Sequence, residues 1–95
     1  MIEFTEFLQI LNEKAKGQIQ GTAKLDVTDQ CAIILSEEGA RLGDEVADVT
    51  LSATQAVFEK ILAGTQNPTM AFMSGQLKVD GSTTRALKVS AILTE

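Results

Sequence analysis

Between Ile2 and Gly17 the apolar residues Phe4, Phe7, Leu8, Leu11 and Ala15 recur on one helical face. Glu3, Glu6, Asn12, Glu13, Lys14 and Lys16 fill the other positions, and Gly17 is a stop. This stripe predicts an amphipathic helix packed on a sheet. At Gly21 the period changes. Ala23, Leu25 and Val27 alternate with Lys24, Asp26 and Thr28, which predicts a strand over Thr22 to Thr28. Asp29 and Gln30 make a turn. Cys31 to Leu35 is rich in β-formers without alternation, the pattern of a central strand covered on both faces. Cys31 then reads as a small buried thiol. Ser36 to Gly39 forms a hairpin turn into a short edge strand, Ala40 to Leu42. Gly43 to Glu45 is loop, and Asp48 to Leu51 alternates as a further strand.

Ser52 with Gln55 three residues on reads as a capping box that opens a second helix. Val57, Phe58, Ile61 and Leu62 give that helix a broad apolar face, Glu59 and Lys60 lie opposite, and Gly64 ends it. In the stretch Asn67 to Gly81, Asn67 suits a helix cap and Pro68 its first position. Met70 and Met73 fall one turn apart and share a side. Gly75 stops this short helix, and Leu77 and Val79 alternate with Lys78 and Asp80 in a half-buried strand closed by Gly81. The tail from Ser82 fits two periods. Ala86, Val89 and Leu93 suit a helix; Leu87, Val89, Ala91 and Leu93 suit a strand. The whole order predicts one α+β domain over residues 1–95, with helices covering one face of the sheet.

Composition narrows the function. A hydrophobic fraction of 44% supports a packed core, and no apolar run approaches the roughly 20 residues of a membrane span. Glu3 and Glu6 replace the basic flank of a secretory signal, and Leu93, Thr94 and Glu95 are not a peroxisomal address, so a soluble cytoplasmic protein is expected. The net charge is −5, and the 8 basic residues are scattered. Nucleic-acid binding needs clustered cations to displace counterions, and anionic membranes would be weakly repelled, leaving at most transient membrane contact. The single cysteine permits no internal disulfide.

With no histidine, tyrosine or tryptophan, the commonest general bases are absent and neither a catalytic triad nor a zinc cluster can be built. The expectation is a non-enzyme without cofactor or metal. Glu37, Glu38, Asp44, Glu45 and Asp48 lack the spacing of a calcium loop and read as a solvated rim. What remains is apolar. Phe58, Ile61, Leu62, Met70, Phe72, Met73 and Leu77 lie within one stretch, and they either fill the core or line a pocket. Methionine adapts to irregular shapes and suits both.

The segment Asn67-Pro68 … Ala71-Phe72 … Gly75-Gln76-Leu77-Lys78 … Gly81 resembles the most characteristic motif of the sterol carrier protein type 2 family. Ala47-Asp48-Val49-Thr50-Leu51-Ser52 is similar to a strand of that family, Phe58 to the aromatic residue of the helix that follows, and Ala86-Leu87-Lys88 to its closing helix. The likeness runs from near Ile19 to near Leu93 and is nearest to the bacterial single-domain members. Where the family's second strand carries a tryptophan, this chain offers Cys31 or Ala32. The resemblance implies a five-stranded, mostly antiparallel sheet with helices on one face, enclosing an apolar cavity. It implies a non-catalytic carrier of fatty acid, fatty acyl-CoA, phospholipid or sterol-like ligands. Phe58, Ile61, Leu62, Met70, Phe72, Met73, Leu77 and Leu87 would bind the lipid, with Gly64 and Gly75 shaping the backbone. The alternative is an accessory module whose hydrophobic groove meets a partner enzyme of lipid or isoprenoid-quinone metabolism, or a second copy in a homodimer. An empty pocket of roughly 300 Å³ would cost on the order of 7 kcal/mol at about 24 cal/mol per Å³. Bound lipid, mobile helices around Met70 to Met73, or partial collapse is therefore expected.

Overall fold

The computed structural model describes residues 3–19 and 21–94; Ile2, the start of the expected first helix, lies outside them. Helix α1 spans Phe4–Ala15 and turns Phe7, Leu11 and Ala15 inward, as its stripe dictates. It lies across a hairpin. The Gly17 N–H donates to the Glu37 carbonyl at 2.8 Å, and the Ala40 N–H donates to Asn12 Oδ1 at 2.9 Å. Gly39 makes this approach possible: its φ is +122°, and a Cβ there would collide with the Asn12 side-chain oxygen.

Five strands form one sheet: β1 (Ala23–Val27), β2 (Ala32–Ser36), β3 (Gly39–Leu42), β4 (Val49–Ala53) and β5 (Lys78–Gly81), in the order β3-β2-β1-β4-β5. The pairs β1–β2, β2–β3 and β4–β5 are antiparallel, and β1–β4 is parallel, so the sheet is mixed. Leu25 stands opposite Ile33 on one side and Leu51 on the other. Alternation therefore sends Ala23, Leu25, Val27, Ile33, Leu35, Val49, Leu51 and Ala53 to a single core face.

The middle strand of the sheet is β1, and β2 lies beside it as an interior strand. Its Ile33, Ile34 and Leu35 are all buried, so it is covered on both faces as its lack of alternation implies. Ile34 points away from the main core, opposite Arg41 on β3 and beside Gly43. Cys31 is exposed, contrary to the buried thiol expected: the turn after Val27 carries it outside the ladder, and β2 begins at Ala32. The expected acidic rim is ion-paired in part, with Asp44 3.1 Å from Lys24 and Glu45 2.7 Å from Arg41.

Ser52 does not cap a helix. Strand β4 continues through Ala53, whose side chain belongs to the core, so the backbone stays extended past Ser52. Helix α2 (Gln55–Leu62) is capped by Thr54, whose hydroxyl oxygen accepts from the Val57 N–H at 3.4 Å. Helix α3 (Pro68–Met73) follows the sequence expectation closely. Asn67 Oδ1 accepts from the Thr69 N–H at 2.8 Å, and Gly75 adopts φ +83°. The tail from Ser82 is helix α4, Thr83–Thr94. Ser82 fixes its start: the side-chain oxygen accepts from the Arg85 N–H at 3.3 Å and the carbonyl from the Ala86 N–H at 3.0 Å. Ala86, Val89 and Leu93 then face the core at helical spacing, while Leu87 and Ala91 are exposed. All four helices share the core side of the sheet, and the Phe7 and Phe58 rings meet there, 6.4 Å apart.

Candidate functional site

The apolar residues singled out in the sequence divide into an inner and an outer group. Phe58 and Ile61 on α2 and Leu77 at the entry to β5 are buried and continuous with the main core; Leu62 is half-buried against it. Met70, Phe72 and Met73 on α3 are 60%, 39% and 76% exposed, and Leu87 on α4 is 39% exposed. Helix α3 packs against α4, so the outer group spans two neighbouring helices.

The local reason is the shortness of α3. Its ends are set by backbone devices, the Asn67 cap with Pro68 at the start and Gly75 at the finish, so it forms without needing a buried stripe. Ala71 is its only buried side chain. The Ala71 carbonyl also accepts from the N–H groups of Gln76 at 2.9 Å and Leu77 at 3.1 Å, and that is where the segment is tied down. Gly64, with φ +78°, and Gly75 bracket the segment with positive-φ backbone. Large apolar side chains in water on a lightly anchored helix are the surface a hydrophobic guest or partner would cover.

Two surface clefts lie elsewhere, and neither draws on these eight residues. One of about 370 Å³ runs between α4 and the end of the α1–β1 connection, lined by Ile19, Ser82, Arg85, Lys88, Val89 and Ile92 among others. The other, about 410 Å³, lies on the outer face near Asp26, Cys31, Leu42 and Asp44. The sequence reading missed both. The first had a signal: Arg85, Lys88, Val89 and Ile92 recur at helical spacing, visible once the tail is taken as a helix. Among the described residues, no cluster of three or more His, Cys, Asp or Glu side chains is placed to hold a metal ion, and no helix is long and apolar enough to cross a membrane.

Comparison with known proteins bears on this arrangement. The mouse hydroxysteroid dehydrogenase-like protein 2 is 37% identical over 65 residues, which is 64% of this chain but only 13% of that protein. Among solved structures, the sterol carrier protein 2 of Aedes aegypti in complex with palmitate has a TM-score of 0.76 at 16% identity, covering 93% of this chain and 91% of its own. A ubiquinone synthesis protein, UbiJ-SCP2, has a TM-score of 0.62 at 19% identity, covering 99% of this chain and 94% of its own. These likenesses show a shared α+β fold. The SCP-2 sterol transfer family matches residues 4–94, nearly the whole chain, and the chain belongs to that family.

Proposed function

We propose that this protein is a non-catalytic lipid carrier, working in the aqueous phase of the cytoplasm. It takes the apolar chain of a fatty acid, fatty acyl-CoA, phospholipid or sterol-like molecule beneath and along α3. The outer group Met70, Phe72, Met73 and Leu87 receives the ligand first. Displacement of α3, hinged at Gly64 and Gly75, then opens the way to Phe58, Ile61, Leu62 and Leu77. The observation that carries this reading is the contrast within α3: three large apolar side chains are exposed while Ala71 alone is buried. Membership of the sterol-transfer family supports it. Burying exposed apolar surface yields about 25 cal/mol per Å², so a guest covering the methionines would offset the cost of moving so short a helix.

Calorimetric titration with palmitate tests the reading, the probe being chosen from the ligand of the Aedes neighbour. The expected result is saturable binding by the unaltered protein and at least a tenfold loss in Met70→Lys/Met73→Lys, since two buried ammonium groups would face the chain. Equal affinity in both proteins would remove α3 from the site.

A second reading gives the same surface to a protein. The fold likeness to a ubiquinone synthesis protein favours an accessory role, with α3 presented to an enzyme of lipid or isoprenoid-quinone metabolism. Native mass spectrometry of the purified protein separates the two: co-purified lipid supports the carrier, and a stable protein complex lost on Met73→Lys supports the accessory module.

A further inference from the structure

The thioethers of this chain are kept out of its core. Among the described residues the hydrophobic core is built from Phe, Leu, Ile, Val and Ala, with no methionine. Of the 3 methionines, Met1 opens the sequence, and Met70 and Met73 both lie on the short helix α3. Each is more than half exposed, and three residues apart they share one side of that helix. Two sulfur atoms in reach of water therefore stand on the surface to which the carrier reading assigns the lipid.

Exposure decides what oxidation does to them. The sulfur lone pair attacks one oxygen of a peroxide, the O–O bond breaks and an S–O bond forms. With hydrogen peroxide the other oxygen leaves as water, so the sulfur loses the two electrons that the peroxide gains. The product is methionine sulfoxide, polar where the thioether was apolar, and sulfoxide reductases restore the thioether at the expense of a dithiol. In a packed core that change disrupts the fold. Nothing that holds α3 together depends on a thioether. Asn67 Oδ1 accepts from the Thr69 N–H, Gly75 ends the helix at positive φ, and the buried Ala71 anchors it, its carbonyl accepting from the Gln76 and Leu77 N–H groups. Oxidation at Met70 and Met73 changes the surface and spares the scaffold beneath it.

We propose that Met70 and Met73 form a reversible oxidation site, at which a peroxide converts both thioethers to sulfoxides and lowers the affinity for an apolar guest while the fold stays intact. The proposal rests on the carrier reading, because it regulates the surface that reading uses. Two sulfoxide oxygens on one side of α3 must shed water when a guest covers them, and an aliphatic chain offers no hydrogen bond in return. Phe72 and Leu87 are exposed as well and carry no sulfur, so binding is weakened and not abolished.

Palmitate calorimetry before and after hydrogen peroxide treatment of the full chain tests the proposal, with peptide mass mapping to locate the added oxygen. One oxygen is expected on each of Met70 and Met73, and the affinity should fall at least about tenfold. The chemical-denaturation midpoint should stay where it was. Methionine sulfoxide reductases with dithiothreitol should restore the affinity. Met70→Leu/Met73→Leu keeps apolar side chains without sulfur, so its affinity, whatever its starting value, should be the same before and after peroxide. Cys31→Ser removes the exposed thiol that competes for oxidant and should respond as the parent does. The switch is overturned by a doubly oxidised protein that binds palmitate as well as the untreated one. It is equally overturned by a leucine variant that loses affinity on treatment, by a midpoint that falls with the affinity, or by methionines that resist peroxide under conditions that oxidise free methionine. Each of these results leaves the carrier reading standing. Absence of palmitate binding in the untreated protein overturns that reading and the switch together.

Discussion

Helices α1 and α3 both carry several large apolar side chains and are both ended by a glycine, and they make opposite use of those side chains. Over twelve residues α1 commits Phe7, Leu11 and Ala15 to the core, each fully buried. Over six residues α3 buries Ala71 alone and leaves Met70, Phe72 and Met73 in water. The first helix exists because its stripe is buried. The second is held by its cap, its proline and its glycine. Apolar residues of α1 are accordingly structural, whereas those of α3 are left exposed, and it is to them that the proposed function assigns binding.

Truncation should expose that division most sharply. Leu11→Ala is expected to destabilise by about 2–5 kcal/mol, the usual cost of an emptied core position, and chemical denaturation would read it. Met73→Ala should stay within about 0.5 kcal/mol in the same assay, as surface substitutions do. Equal losses would mean that α3 is built into the core after all. A smaller effect follows from the cap. Asn67→Ala removes the acceptor of the Thr69 N–H and should cost about 1 kcal/mol. Amide exchange should place that loss in α3, leaving α1 protected.

The smallest effect concerns the loop over Ile34. The hydrogen bond from Arg41, opposed by desolvation and aided by the guanidinium charge, holds the Glu45 carboxyl below its ordinary range. A carboxylate whose folded pKa is lowered stabilises the fold above its unfolded pKa, and that contribution disappears as the pH falls through the folded value. Both partners are solvent-exposed, so the effect is local: the protection of amides between Gly43 and Asp48, relative to their intrinsic exchange rates at each pH, should fall on acidification below the usual carboxylate range. Arg41→Gln should abolish the change.

The same contrast explains what could be read in the chain before its structure. Strands β1 and β4 alternate because one face is buried and the other is not, and α1 keeps its stripe for the same reason. The ends of α3 were legible because Asn67, Pro68 and Gly75 act through local backbone chemistry. Side-chain destinations in α3 were not, since a six-residue helix has too few positions to show a stripe. The β2 run was legible as an interior strand covered on both faces, but its start was not: Cys31 stands before the first residue of β2 and is exposed. The misplaced cap had a similar origin. Ser52 and Thr54 are both good caps, and only the β4–β1 pairing, which carries Ala53 opposite Val27, selects Thr54. The cleft beside α4 required knowing that the tail is helical and that Ile19 comes to rest against it.

Methyl NMR of the methionines during palmitate titration addresses the role of α3 most directly, because only 3 methionines are present and two of them sit on that helix. The account predicts that the Met70 and Met73 methyl signals shift saturably and that the α3 amides become slower to exchange with palmitate bound. Methyl signals and α3 exchange that stay unchanged at saturating palmitate would contradict it.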